Sequence, residues 1–290
     1  MKIILAEHYG LCFGVRDAIA EAEELARRAP LTILGELVHN PVVRERLARH
    51  GVLERGLGDF APGTSQVMIT AHGTSDRKRA EWGAAGFAVA DGTCPLVRHA
   101  HRQLGALVDA GFFPVVIGKA GHVEVEGLIG DFPEACVIEN EGDIARLPVR
   151  GRYGVISQTT QPLEKVLALV EAIRRGREGS EVRFTDTVCQ PTKKRQNALR
   201  KLIAECDTLV VVGGRNSNNT LQLAAAARAA GLRVFHIERP GELEAEWFCE
   251  ARVVGITAGT STLKETVAAV QVRMAEIAAM PEGNRHGLTM

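Results

Sequence analysis

The feature that most constrains this chain is a set of strand–loop segments recurring about every 90 residues. Short β-branched runs alternate with helical patterns from end to end, which argues for βα units and mostly parallel sheets. One kind of loop is Ile33-Leu34-Gly35-Glu36-Leu37-Val38-His39-Asn40. Its counterparts are Val116-Ile117-Gly118-Lys119-Ala120-Gly121-His122 and Val211-Val212-Gly213-Gly214-Arg215-Asn216-Ser217-Asn218-Asn219. A second kind reads Ile69-Thr70-Ala71-His72-Gly73, then Ile156-Ser157-Gln158-Thr159-Thr160, then Ile256-Thr257-Ala258-Gly259-Thr260-Ser261. A third ends in cysteine, as Val89-Ala90-Asp91-Gly92-Thr93-Cys94 and Phe184-Thr185-Asp186-Thr187-Val188-Cys189.

The last repeat has no cysteine strand of its own, and the opening segment Ile4-Leu5-Ala6-Glu7-His8-Tyr9-Gly10-Leu11-Cys12 supplies one. The expected organisation is therefore a first α/β unit over 14–95, a second over 96–190 and a third over 191–280. Strand 1–13 completes the third unit, and a polar tail, 281–290, is expected to be loose. Each cysteine is followed by an apolar stripe at helical spacing: Val15, Ile19, Ala22 and Leu25; Val97, Ala100, Leu104 and Leu107; Leu199, Leu202 and Ile203. Pro95 and Pro191 fall where a first helical turn tolerates proline. Thr160 or Gln161 is placed to cap a helix over Leu163–Ile173.

Composition narrows the function. Lys and Arg number 35 and Asp and Glu 35, so no net field draws the chain to nucleic acid or an anionic membrane. An anionic ligand needs a local pocket. No run of about 18 apolar residues occurs, and the N-terminus lacks a signal-peptide core, so a cytoplasmic protein is expected. None of the six cysteines forms a CxxC pair, which disfavours a structural zinc finger. Cys136, Cys206 and Cys249 read as small core residues. Cys12, Cys94 and Cys189 differ, because all three sit at the same strand-to-helix turn. A helix N-terminus favours the thiolate, the form that binds metal. Three such thiolates suit an iron–sulfur cluster, and since four is the usual count, one iron would lack a protein ligand.

In parallel α/β sheets, ligands gather beyond the carboxyl ends of the strands. The loops there carry His39, His72, His122, Thr159, Ser217, Asn219 and Ser261; the three histidines beside Ser217, Asn219 and Ser261 are suited, with backbone N–H groups, to cradling a multiply charged anion, and Thr159 is left to contact substrate. Gly213-Gly214 is not followed by Gly-Lys-Ser/Thr, so it is no P-loop. Glu124, two residues after His122, is the candidate proton donor, since a shielded carboxyl keeps its proton near neutral pH.

The ordered series closely resembles the 4-hydroxy-3-methylbut-2-enyl diphosphate reductase (LytB) family. The matching segments run from Cys12-Phe13-Gly14-Val15 through Val38-His39-Asn40-Pro41, Ala71-His72-Gly73 and Asp91-Gly92-Thr93-Cys94-Pro95-Leu96-Val97. They continue through Gly121-His122, Glu124-Val125-Glu126-Gly127, Gln158-Thr159-Thr160, Cys189, Thr192, Arg195-Gln196 and Asn216-Ser217 to Thr257-Ala258-Gly259-Thr260-Ser261. The resemblance implies a trefoil of three pseudo-symmetric units around one 4Fe–4S cluster per chain, held by Cys12, Cys94 and Cys189. It implies that His39, His72, His122, Ser217, Asn219 and Ser261 bind the substrate diphosphate, with Asn218 standing where a small residue is common. Thr159 would touch the substrate hydroxyl and Glu124 would supply protons. The implied reaction removes that allylic hydroxyl as water, yielding isopentenyl and dimethylallyl diphosphates as the last step of the methylerythritol phosphate route. Electrons would come singly from a ferredoxin or flavodoxin to a monomer or weak dimer. Two other classes fit the residues: an iron–sulfur hydro-lyase on a small phosphorylated substrate, and a non-catalytic redox sensor on the same scaffold.

Overall fold

The computed structural model describes residues 1–281. The looseness expected of the tail concerns residues that lie, apart from Pro281, outside the described ones. In chain order the elements are β1 (Lys2–Leu5), α1 (Phe13–Arg28), β2 (Leu31–Leu34), α2 (Pro41–Arg49), β3 (Leu53–Arg55), β4 (Gln66–Ile69), α3 (Asp76–Ala84) and β5 (Ala88–Asp91). Next come α4 (Pro95–Asp109), β6 (Phe113–Ile117), α5 (Val123–Ile129), β7 (Cys136–Ile138), β8 (Arg152–Ser157), α6 (Leu163–Gly176) and β9 (Glu181–Phe184). The chain then forms α7 (Gln190–Ile203), β10 (Thr208–Val212), α8 (Asn218–Ala229), β11 (Arg233–Ile237), β12 (Val253–Ala258) and α9 (Lys264–Ala279).

Twelve strands form three four-stranded sheets among the described residues, ordered β1-β12-β10-β11, β5-β4-β2-β3 and β9-β8-β6-β7. Every pairing is parallel. The three orders are equivalent. A strand leading to a cysteine lies at one edge, the strands with the two ligand-type loops lie inside, and a plain strand closes the other edge. The opening strand joins the last sheet, with Ile3 opposite Val254 and Leu5 opposite Ile256. One strand escaped the sequence reading. β3 is three residues long, Leu-Glu-Arg, with a single apolar side chain and no period to recognise.

Contacts group the chain into two compact units. The first contains residues Met1–Phe13, His39–Val43 and the described residues from Gln190, and holds the sheet β1-β12-β10-β11. Its central strands bury side chains on both faces, as near-continuous apolar runs in parallel sheets do. Val210, Val212, Val254 and Ile256 pack with Val267, Val270 and Met274 of α9, whereas Leu209 and Val211 pack with Leu199 and Leu202 of α7 and Leu223 of α8.

The second unit, Gly14–Val38 and Arg44–Cys189, holds the other two sheets. In one, Leu34 and Val67 pack on Trp82 of α3. In the other, Val115, Ile117, Tyr153 and Val155 face Val166, Leu169 and Ile173 of α6. The opposite face of that sheet, Val116 and Ile156, meets Leu104 and Leu107 of α4 with Val125 and Leu128 of α5. Helix α4 thus starts at the end of one sheet and packs on the next, which ties Cys94 to both. The N-cap of α6 is Pro162, just after the expected Thr160 or Gln161, and Gln161 donates to the Gln158 side chain at 2.8 Å. Among the described residues no helix is long and apolar enough to cross a membrane.

Candidate functional site

Each candidate cysteine is fixed in the same way. The Cys12 N–H donates to the Thr260 carbonyl at 3.1 Å, Cys94 N–H to Ala71 at 3.1 Å and Cys189 N–H to Thr159 at 2.9 Å. Each acceptor lies in the loop after the neighbouring strand (β12, β4 or β8), at or beside Ser261, His72 or Thr159. The repeat read in the sequence is therefore a repeat in hydrogen bonding. It couples every cysteine turn to a loop bearing a candidate substrate residue. Each cysteine also directly precedes a helix, α1, α4 or α7, and Cys94 is the N-cap of α4 with Pro95 behind it.

Within the second unit the structure brings His72, His122, Glu124 and Thr159 together. The His72 and His122 rings meet edge to face, centroids 5.6 Å apart. His122 caps α5 by accepting the Glu124 N–H on Nδ1 at 3.1 Å, so in the neutral ring the proton sits on Nε2 as a donor. Glu124 follows in the first turn, 2 % exposed, and its Oε1 accepts the Thr159 N–H at 2.7 Å. Burial pushes this carboxyl up to about 7, against the opposing effect of the backbone and side-chain hydrogen bonds from Thr159. Close packing holds the constellation. Gly73 takes φ of 76°, and a Cβ there would meet the Thr93 methyl at 2.9 Å. Buried Gln158 accepts the Lys119 N–H at 3.1 Å, pinning the loop before His122 to the one bearing Thr159.

Within the first unit the loops after β10 and β12 bring His39, Ser217, Asn219 and Ser261 into one hydrogen-bonded group. Ser217 is the N-cap of α8, accepting the Thr220 N–H at 3.4 Å, so Asn218 and Asn219 occupy its first turn. Asn219 Oδ1 accepts the Thr260 N–H at 3.1 Å, and Ser261 Oγ donates to the His39 carbonyl at 3.3 Å. All four of Ser217, Asn218, Asn219 and Ser261 are buried. Hydroxyls and amides beside a helix N-terminus form an anion-binding arrangement. Asn40 was legible only as part of a motif, yet it is the clamp here. Its Nδ2 donates to the Ser261 carbonyl at 2.7 Å and its Oδ1 accepts the Val42 N–H at 2.9 Å. Asn directly before a helix-starting proline is a capping signal that points to it.

The chain matches the family model described as LytB protein over residues 3–275. It belongs to the LytB family. A LytB relative named 4-hydroxy-3-methylbut-2-enyl diphosphate reductase, from Geobacter metallireducens, is 36 % identical over 281 residues, covering 96 % of this chain and 98 % of the relative. The protein of the same name from Aquifex aeolicus is 36 % identical over 284 residues, covering 96 % of this chain and 97 % of its own length. Among solved structures, the (E)-4-hydroxy-3-methyl-but-2-enyl diphosphate reductase described as the terminal enzyme of the non-mevalonate pathway matches with a TM-score of 0.68 at 34 % identity, over 95 % of this chain and all of that one (100 %). The corresponding Plasmodium falciparum reductase shares the fold, with a TM-score of 0.88 at 24 % identity, over 97 % of this chain and 89 % of that one.

All six cysteines are free. Burial pushes the Cys136 and Cys206 thiols up, away from the thiolate, in keeping with plain packing. Around Cys94 the chain keeps space. A Cβ on Gly14 would collide with the Cys94 sulfur, so only glycine fits beside it. Among the described residues no three His, Cys, Asp or Glu side chains form a group for a single metal ion. An iron–sulfur cluster makes no such demand, because its own inorganic core lies between the thiolates.

Proposed function

We propose that this chain is the reductase that removes the allylic hydroxyl of (E)-4-hydroxy-3-methylbut-2-enyl diphosphate as water, giving isopentenyl and dimethylallyl diphosphates. Cys12, Cys94 and Cys189 hold one 4Fe–4S cluster in this reading. The observation that carries it is the common anchoring of the three cysteines, each N–H bonded to a loop that bears a substrate candidate. When bound, the cluster supplies single electrons and a Lewis-acidic iron that makes hydroxide a better leaving group.

The chain's own residues do the rest. His39, His72, His122, Ser217, Asn218, Asn219 and Ser261 bind the diphosphate through imidazole, hydroxyl and amide donors, in a protein whose formal net charge is zero. Burial around Glu124 excludes water and keeps a proton on its carboxyl near neutral pH. Thr159 hydrogen-bonds that carboxyl through both its N–H and its side chain, which sets it to pass the proton toward the substrate hydroxyl. Two electrons and two protons balance the loss of water. A ferredoxin or flavodoxin supplies the electrons, and the protein works in the cytoplasm as a monomer or weak dimer.

The test is anaerobic turnover of the diphosphate with reduced methyl viologen. Formation of the two isomeric diphosphates, with viologen oxidised at two equivalents per turnover, is expected. Release of water without viologen oxidation would overturn the reading in favour of a hydro-lyase.

A further inference from the structure

The first unit carries a groove beside the Cys12 turn, and apart from Cys12 the proposed chemistry leaves its lining unused. It holds about 460 Å³ and is lined by Tyr9, Leu11, Cys12, Phe13, Lys194 and Lys264 among others. Its walls are stiff. Buried Arg195 donates to the Pro191 carbonyl at 2.8 Å and, with its other arm, to the Gly10 carbonyl, stapling the first turn of α7 to the loop after β1. The bond from Cys12 N–H to Thr260 fixes the far end of that loop.

Two observations give the groove a direction. Phe13 is 41 % exposed although it adjoins Cys12, and a large apolar ring is left in water at a cost unless something covers it. The rim is cationic. Lys194 and Lys264 are exposed, and among the described residues neither has an ion-pair partner, while the one lining carboxylate, Glu7, is already paired with Lys201 at 2.7 Å. An apolar centre flanked by two lysines, unpaired among the described residues, has the anatomy of a transient protein interface tuned to an acidic partner.

We propose that this groove docks an acidic one-electron carrier protein, with Phe13 covered at the centre of the contact and Lys194 and Lys264 meeting carrier carboxylates. The proposal rests on the reductase reading above. Each encounter oxidises the carrier by one electron and reduces the site by one. Two encounters, with two protons, match the loss of one hydroxyl as water.

The test uses cluster-loaded protein, purified flavodoxin as the carrier, and the double variant Lys194→Glu/Lys264→Glu. Zero-length carbodiimide cross-linking to flavodoxin, mapped by mass spectrometry, is expected to join Lys194 or Lys264 to a flavodoxin carboxylate. The variant is expected to bind flavodoxin at least about ten-fold more weakly at low salt, with a shallower salt dependence. Flavodoxin-driven turnover should fall in step, while turnover with reduced methyl viologen stays at the wild-type rate. Wild-type binding by the double variant, no flavodoxin binding by the native chain, or cross-links confined to other lysines would overturn the proposal. Absence of viologen-driven turnover in the native chain would instead overturn the reductase reading.

Discussion

The Glu124 carboxyl accepts the Thr159 backbone N–H at 2.7 Å, and Thr159 in turn gives its carbonyl to the N–H of Cys189. One residue therefore links the protonatable group to a cysteine turn. Glu124→Gln keeps the size and the acceptor oxygen but has no acidic proton to give. General acid catalysis commonly contributes 10²–10⁴-fold, so turnover is expected to fall by roughly 100-fold or more, with iron content unchanged. Steady-state assay beside metal analysis checks this, and wild-type turnover would remove Glu124 from the mechanism.

The same carboxyl sets a pH dependence. Its folded-state value, about 7, lies above the ordinary 4.5, so folding favours the protonated form. The contribution to stability is whole below pH 4.5 and is lost as pH rises to about 7, where the buried group ionises. The difference corresponds to about 3 kcal/mol. Denaturant titrations of wild type and Glu124→Gln across this window should show the wild type weakening relative to the variant by an amount of that order. Parallel curves would mean that Glu124 is not shielded as described.

Asn40 is expected to act on substrate binding through Ser261 and His39. Asn40→Asp keeps the cap on Val42 N–H but loses the donor to the Ser261 carbonyl. Leaving that buried carbonyl unpaired costs about 1–3 kcal/mol. The expected kinetic result is a KM for the diphosphate raised roughly ten-fold with a smaller change in kcat. An unchanged KM would show that the clamp does not position the anion site.

Gly14→Ala tests the space around Cys94. The added methyl collides with the thiol, so the sulfur or the α1 backbone must move. The expected outcome is a folded protein with less than half the wild-type iron, read by metal analysis and circular dichroism together. Full iron loading would show that the space is not needed.

The parallel sheets and the three cysteine turns were legible because they repeat. Leu34-Gly35, Ile117-Gly118 and Val212-Gly213 end one set of equivalent strands, Ile69-Thr70-Ala71 and Ile256-Thr257-Ala258 another, and Cys12, Cys94 and Cys189 follow a third; each recurrence supports the others. Even the membership of Ile3–Leu5 in the last sheet followed from the cysteine that the last repeat lacked. β3 was not legible, because a three-residue edge strand carries too little pattern. The N-cap of α6 falls at Pro162 rather than at Thr160 or Gln161, because proline's fixed φ suits the start of a helix. The histidines and serines were visible as types at recurring loops. The ties that orient them were not, since Asn40 to Ser261 and Gln158 to Lys119 span 221 and 39 residues of sequence.

The central claim is that Cys12, Cys94 and Cys189 together hold a cluster while Cys136, Cys206 and Cys249 do not. Iron and acid-labile sulfide, measured per chain after anaerobic purification of all six Cys→Ser variants, test it most directly. The expected result is about four of each in the native chain and in the last three variants, and a loss of most of both in Cys12→Ser, Cys94→Ser and Cys189→Ser. A native chain without iron, or full iron in any of those three variants, would contradict it.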